Sequence, residues 1–213
     1  MKEKIELLIG TYNDGKLNEI KSFLTSSPAR AASVGDLPIK IISLVELNKK
    51  IEIEETGTTF LENALIKATK ISKETGLITL ADDSGLIVPA LNGEPGIFSS
   101  RYAGDDATDQ ENIKKLVSKI KGLKREERKA YFQADVVVVK PTGEHIHAEG
   151  RVSGEIVTTP KGDKGFGYDP VFYLPTMRCT MAELEIDKKT EISHRGAALI
   201  KLAPKLKKFL GIR

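Results

Sequence analysis

The chain has 213 residues, 40% hydrophobic and 30% charged, and its 33 basic and 30 acidic residues give a formal net charge of +3. This is the composition of a soluble globular protein, and the charge is too balanced to indicate a nucleic-acid-binding surface. No run approaches the roughly 18 apolar residues of a membrane span, and the first residues do not form a signal peptide. The single cysteine, Cys179, cannot form an internal disulfide. We therefore expect a cytoplasmic protein with no membrane or nucleic-acid partner.

The first part of the chain alternates strand and helix patterns. An apolar run over 5–10 predicts a strand, and apolar residues at helical spacing predict a helix over 16–24. Residues 26–38, rich in Ser, Ala, Gly and Pro, predict a surface loop. A second strand is predicted over 39–43. Strand, loop, helix and strand in this order are typical of an α/β protein.

Two acidic residues follow the next helix and strand. A capping-box pattern starting at Thr59 predicts a second helix that stops near Gly76. The apolar run 77–81 then leads into Asp82 and Asp83, which we place at the end of a strand.

The second part of the chain predicts a helix, a hairpin and a last helix. A capping box at Thr108 starts the helix, and 131–139 and 145–157 read as two long antiparallel strands. The last helix should begin near Ser193 and run to Phe209, with a possible interruption at Pro204. With no internal repeat or long linker, 1–213 is expected to be one domain. The predicted fold is three-layer α/β, with a mixed central β-sheet flanked by helices.

The first candidate site is the loop Gly10-Thr11-Tyr12-Asn13-Asp14-Gly15-Lys16, between a strand and a helix. Free backbone N–H groups and the helix dipole favour an anion there, so the loop is suited to hold phosphate. It matches the start of a P-loop, but Leu17 stands where that motif needs a hydroxyl for Mg²⁺. A plain strand-to-helix turn with a solvated Lys16 remains the alternative.

The second candidate site is acidic. Side chains of neighbouring residues on an extended segment point opposite ways, so one of Asp82 and Asp83 can face a cleft while the other braces the loop. Carboxylate oxygens are the ligands that Mg²⁺ selects. Glu54 and Glu55 offer a second acidic point before the second helix. The alternative for 82–85 is a simple turn.

The third and fourth candidate sites are suited to a nucleobase. In the segment 165–170, Phe166 or Tyr168 can stack on a base, although the segment can equally be a tight turn. Lys189, His194 and Arg195, near a helix start at Ser193, form a cluster of donors for a base carbonyl or a phosphate.

Taken together, these segments resemble the inosine triphosphate pyrophosphatase (Ham1-like) family. The resemblance spans nearly the whole chain and rests on six blocks in the family's order: 11–16, 55–64, 81–85, 95–102, 166–170 and 192–195. It implies hydrolysis of non-standard purine nucleoside triphosphates (ITP, dITP and XTP) to the monophosphate and pyrophosphate. It further implies a Mg²⁺-dependent homodimer whose active site lies between two lobes.

The resemblance also implies roles for individual residues. Thr11, Asn13 and Lys16 would hold the phosphates, and Tyr12, Asp14 and Gly15 share their loop. Glu55 and Asp83 would bind Mg²⁺, Asp83 would also accept a proton, and Ser84 would touch substrate. Lys67, one helical turn from Asn63, is a further phosphate-side candidate for catalysis. The base pocket would be formed by Phe166, Gly167, Tyr168, Asp169, Lys189, His194 and Arg195.

Two rival functions remain open from the sequence. One is a related pyrophosphatase that acts on modified pyrimidine nucleotides. The other is a nucleotide- or RNA-binding module that uses the basic residues near the C-terminus, such as Lys201 and Lys205. The sequence does not show how guanine, which shares the 6-oxo group, would be rejected. The stretch 26–37 is longer than the family resemblance predicts.

Overall fold

Seven strands form a mixed sheet in the computed structural model, which describes residues 4–26 and 38–212. The strands are β1 (Ile5–Ile9), β2 (Ile39–Ser43), β3 (Ile78–Ile87), β4 (Lys129–Val139), β5 (His145–Ile156), β6 (Phe172–Leu174) and β7 (Cys179–Thr180). Their order is β2-β1-β3-β4-β5-β6-β7. β1 is parallel to β2 and β3, and every later pair is antiparallel. The predicted mixed sheet and the hairpin β4–β5 are confirmed.

Five helices accompany this sheet in the described residues: α1 (Asp14–Ser26), α2 (Phe60–Thr75), α3 (Asp109–Ile120), α4 (Ile186–Ile192) and α5 (His194–Phe209). None of them is long and apolar enough to cross a membrane. Two predictions concern the segment between α1 and β2, namely a surface loop over 26–38 and a stretch over 26–37 that is longer than in the family. Almost all of this segment lies outside the described residues.

The local helix signals are confirmed. Thr59 and Thr108 each cap a helix through a reciprocal capping box, and Gly76 ends α2 in the left-handed conformation at φ 72°. Ser193 caps α5, accepting a hydrogen bond from Gly196 N. The possible interruption at Pro204 does not occur. Pro204 lies on the exposed side of α5, where water can satisfy the carbonyl that loses its helical partner.

Hydrophobic packing on both faces of the sheet produces the three layers. On one face, α1 and α5 cover β1, β3 and β4 through residues such as Phe23, Leu80 and Leu202. On the other face, α2 packs Ala64 and Ala68 against β3 and β4. A separate core around α3, β6 and the far end of β4 forms a second lobe. The predicted two-lobed, three-layer α/β fold is confirmed.

One boundary prediction was wrong. β3 does not stop at Ala81 but continues through Asp82 and Asp83 to Ile87, paired with β4 throughout. Two acids can lie within a buried strand because each has a cationic partner, described below. Gly85 also keeps the strand close to the turn Gly96–Arg101, since a Cβ there would overlap Gly96 O and Ser99 Oγ.

Candidate active site

A cleft of about 360 Å³ lies between the two lobes, within the size range of small-molecule sites. It brings together residues from the loop before α1, the segment before α2, β3, the segment 166–169 and the start of α5. Fifteen of the predicted site residues line it: Thr11, Tyr12, Asn13, Lys16, Glu55, Lys67, Asp83, Ser84, Phe166, Gly167, Tyr168, Asp169, Lys189, His194 and Arg195. Asp14 and Gly15 are not among the lining residues. Asp14 is exposed in the first turn of α1, and Gly15 packs against the Phe166 ring.

The loop before α1 is held by its own side chains. Asn13 N donates to Thr11 Oγ1 at 3.1 Å, and Lys16 N donates to Asn13 Oδ1 at 2.9 Å, so Asn13 caps the helix. Leu17 packs against the hydrophobic core. The loop therefore lacks the hydroxyl of a P-loop, and the P-loop alternative is excluded.

Two carboxylates converge on the same ammonium group at one side of the cleft. Lys67 Nζ lies 3.0 Å from Asp83 Oδ1 and 3.2 Å from Glu55 Oε1. Asn63 Nδ2 donates to the other oxygen of Asp83 at 3.3 Å. Burial raises the pKa of Asp83, against the lowering effect of Lys67 and Lys16. The Glu55 and Asp83 carboxylates therefore lie close enough together to contact the same cation, which here is the Lys67 ammonium group.

The donor set fits a hard divalent cation that is only partly coordinated by protein. Glu55 and Asp83 supply carboxylate oxygens, which Mg²⁺ prefers. Within 4–26 and 38–212, no group of three or more His, Cys, Asp or Glu side chains forms a complete metal site. Water and substrate oxygens would therefore fill the remaining positions, as is usual for Mg²⁺ at phosphate sites.

Asp82 lies on the opposite side of β3 and has a structural environment. Its Oδ2 accepts from Arg195 Nη2 at 2.9 Å and lies 3.2 Å from Lys16 Nζ. Burial alone would raise the pKa of Asp82, but Arg195 and Lys16 hold it well below its usual range. The prediction that one acid faces the cleft while its neighbour braces the structure is confirmed, with Asp83 in the first position.

The two cations of the predicted donor cluster, Lys189 and Arg195, are already paired with carboxylates. Arg195, fully buried, commits its guanidinium to Asp82, Ser84 and Glu19, and Lys189 binds Asp169 and Glu19. The sequence predicted Lys189 and Arg195 as donors but did not predict these carboxylate partners. Burying two cations requires these partners.

An aromatic wall forms the part of the cleft predicted to take a base. The Phe166 ring centroid lies 4.5 Å from Lys189 Nζ and 5.8 Å from the Arg195 guanidinium carbon. Gly167 N donates to Asp109 at 2.6 Å, and Tyr168 Oη donates to Ser99 O at 2.8 Å. These bonds fix the 166–169 segment against the second lobe.

His194 is a neutral imidazole in this wall. Its ring stacks on Phe132 with centroids 4.8 Å apart. Burial, reinforced by Arg195 and Lys189, lowers the pKa of His194 well below its usual value. Its Nδ1 has no hydrogen-bond partner among the residues that the structure describes.

Sequence reasoning missed several residues that build the site. Glu19 is buried in α1 and pairs with both Arg195 and Lys189. The lining residues Ile51, Ile97, Ser99, Asp109 and Phe132 had no distinguishing local pattern.

Comparisons with known proteins match most of this chain. The Ham1 family model matches residues 7–205. A dITP/XTP pyrophosphatase of Bacillus licheniformis is 45% identical over 198 residues, covering 93% of this chain and 96% of the relative. One from Thermoanaerobacter pseudethanolicus is 43% identical, covering 93% and 94%.

Solved structures show the same fold. A HAM1 protein from Coxiella burnetii superposes with a TM-score of 0.82 at 42% identity, covering 96% of this chain and 99% of that structure. The Staphylococcus aureus Ham1 protein gives a TM-score of 0.80 at 39% identity, with the same coverage. The resemblance identified from the sequence motifs is confirmed, and the chain belongs to the Ham1 family.

Proposed function

We propose that this chain hydrolyses dITP, XTP and ITP to the nucleoside monophosphate and pyrophosphate, with Mg²⁺ as cofactor. The observation that carries the proposal is the convergence of Glu55 and Asp83 on one cation position, in a cleft that also holds a phosphate-type loop and an aromatic wall. Two relatives that are 43% and 45% identical to this chain over 198 residues are named dITP/XTP pyrophosphatases.

The phosphate end of the substrate would meet the loop before α1. Lys16 Nζ lies at the cleft, and Thr11 and Asn13 offer hydroxyl and amide groups beside the first turn of α1. Anions are stabilised at such a helix start. Positive charge from Lys16 and Lys67 would offset the charge that develops on the leaving pyrophosphate.

Asp83 would accept the proton of the attacking water. Lys67 Nζ and Asn63 Nδ2 hold its two oxygens in place in the lining of the cleft, as a general base requires. Bound by Glu55 and Asp83, Mg²⁺ would polarise the phosphate oxygens and favour ionisation of water.

Selection of the base would come from the buried wall. Arg195 and Lys189 place positive charge at this wall, which attracts the 6-oxo group of a purine and repels the hydrogen atoms of a 6-amino group. Neutral His194 lines the same wall.

The basic C-terminal residues give little support to the RNA-binding alternative. Lys201 Nζ donates to Glu149 O at 2.9 Å and Lys205 Nζ donates to His147 O at 2.8 Å. Both ammonium groups therefore bind this chain's own sheet. RNA binding would need such groups to be directed toward solvent as a basic patch.

The test is pyrophosphate release from dITP, XTP, ITP, ATP, GTP and a modified pyrimidine triphosphate, with Mg²⁺ and with chelator. We expect Mg²⁺-dependent turnover of the first three. Orthophosphate as the first product, or preference for the pyrimidine, would refute the proposal.

We further propose a cytoplasmic homodimer built from one domain per chain. The family resemblance supports the dimer. Light scattering coupled to size exclusion should give a mass of two chains, and a mass of one chain would contradict it.

A further inference from the structure

Tyr12 differs from its neighbours in the phosphate-type loop because its hydroxyl is directed to another segment. Tyr12 Oη accepts from Ile51 N at 2.7 Å and donates to Lys49 O at 2.9 Å. Its side chain is 48% exposed, so burial of the ring does not explain its place. The two hydrogen bonds are what join it to the rest of the chain.

The segment that Tyr12 grips carries Glu55. Between β2 and α2, residues 44–59 form no regular helix or strand, so no backbone ladder fixes their position. Ile51 anchors the segment in a hydrophobic core, and Gly57 N donates to Asn63 Oδ1 at 2.8 Å. Glu55 lies between these two attachments and reaches Lys67. Its position therefore depends on what holds residues 49–57.

We propose that Tyr12 is a positioning residue that ties the phosphate-binding loop to the metal-binding segment, and so sets the place of Glu55. The inference rests on the proposed metal-dependent hydrolysis but assigns Tyr12 no contact with substrate. Thr11 and Asn13, which flank Tyr12, face the cleft, and the Tyr12 hydroxyl holds the other wall of the same cleft. One loop thereby orients both the phosphate donors and a metal ligand.

The alternative is that Tyr12 contacts the nucleotide directly, because it also lines the cleft. The two roles separate in a Tyr12→Phe variant. This change keeps the exposed ring but leaves Ile51 N without its acceptor and Lys49 O without its donor. A positioning role predicts weaker metal binding, whereas a substrate contact predicts a higher KM at saturating metal.

The experiment measures Mn²⁺ binding to the full-length protein, without nucleotide, by the loss of the free-ion electron paramagnetic resonance signal. Loss of these two hydrogen bonds should weaken Mn²⁺ binding about fivefold or more. Glu55→Gln sets the lower limit of affinity, and Tyr12→Phe should fall between it and the wild type. Tyr173→Phe, at a tyrosine in β6 beside Arg125, is the matched control and should bind as the wild type does.

Several outcomes would overturn the proposal. Unchanged Mn²⁺ affinity in Tyr12→Phe would do so, and a raised KM in that case would identify a substrate contact. Weakened binding accompanied by loss of the native near-ultraviolet circular dichroism, measured without metal, would indicate unfolding instead. Because Mn²⁺ binding requires no turnover, the comparison with Tyr12→Phe decides the role of Tyr12 even if the wild type leaves dITP intact, a result that would refute the proposed function alone.

Discussion

At the residue scale, two adjacent acids have opposite roles because strand geometry separates them. Asp83 faces the cleft with Lys67, whereas Asp82 faces Arg195 and Lys16 on the other side of β3. The alternation of side chains along a strand predicts this division from the sequence, but it does not say which acid faces the cleft. That depends on Arg195, which lies 113 positions away in the sequence.

The division predicts that two matched substitutions have different consequences. Asp83→Asn removes the proposed base and should lower kcat at least about 100-fold. Because burial raises the pKa of Asp83, its charge is unfavourable in the fold, and the free energy of unfolding should change by less than about 1 kcal/mol.

Asp82→Asn instead leaves Arg195 and Lys16 without their shared carboxylate. Breaking a buried ion pair from one side costs about 3–5 kcal/mol, so this variant should lose that much unfolding free energy. Urea denaturation and single-turnover kinetics on both variants provide the check. Equal destabilisation by the two changes would contradict the assignment.

Gly15 provides a second prediction at this scale. A Cβ at this position would overlap the Phe166 ring, so Gly15→Ala should displace the ring from the base wall. We expect KM for dITP to rise about fivefold or more, an effect of about 1 kcal/mol on binding. Gly122→Ala is the control, because a Cβ there meets open space. Similar KM values for both variants would show that Phe166 does not depend on Gly15.

At the scale of elements, local signals predicted α1, α2, α3 and α5, but they predicted neither the short helix α4 nor the contacts of the site. The capping boxes at Thr59 and Thr108 and the stop at Gly76 involve residues within a few positions of one another, so the sequence predicts them directly. The continuation of β3 past Ala81 could not be predicted. It requires cations from α1, α2 and α5, and only the tertiary fold brings these next to Asp82 and Asp83. The pairing of Glu19 with Arg195 spans 176 positions, and no local pattern indicates it.

The two capping boxes give a matched prediction. Thr59→Ala and Thr108→Ala each remove a helix N-cap and should each cost about 1 kcal/mol of unfolding free energy. α2 carries Asn63 and Lys67, which hold Asp83, whereas α3 carries Asp109 at the opposite wall. Thr59→Ala should therefore also raise the Mg²⁺ concentration needed for half-maximal activity, and Thr108→Ala should not. Equal metal requirements in the two variants would show that α2 tolerates fraying without moving Asp83.

At the scale of the whole molecule, buried charges connect the phosphate end of the cleft to the base end. A network of buried ion pairs, in which positive and negative side chains alternate, runs through α1, β3, the segment 166–169, α4 and α5. Its members, in order, are Lys16, Asp82, Arg195, Glu19, Lys189 and Asp169. Such a network is costly to bury and strongly destabilising to break, so it specifies the relative position of these elements. A substrate that touches Lys16 at one end and Phe166 at the other would thus meet a preformed surface.

His194 lies within this positive environment and makes the stability of the molecule depend on pH. Burial, Arg195, Lys189 and Lys16 lower its pKa while Asp82 raises it, and the net result lies well below the usual value. The unfolded chain therefore takes up a proton near pH 6.5 before the folded chain does, so stability is lost as pH falls below about 6.5. The slope from this one group is at most about 1.4 kcal/mol per pH unit.

The variant His194→Asn should reduce the pH dependence of the unfolding free energy between pH 7.5 and 5 relative to the wild type, as measured by urea denaturation. If His194→Asn retained that slope, folding would not lower the pKa of His194, and the neutral state assigned to this residue of the base wall would fail.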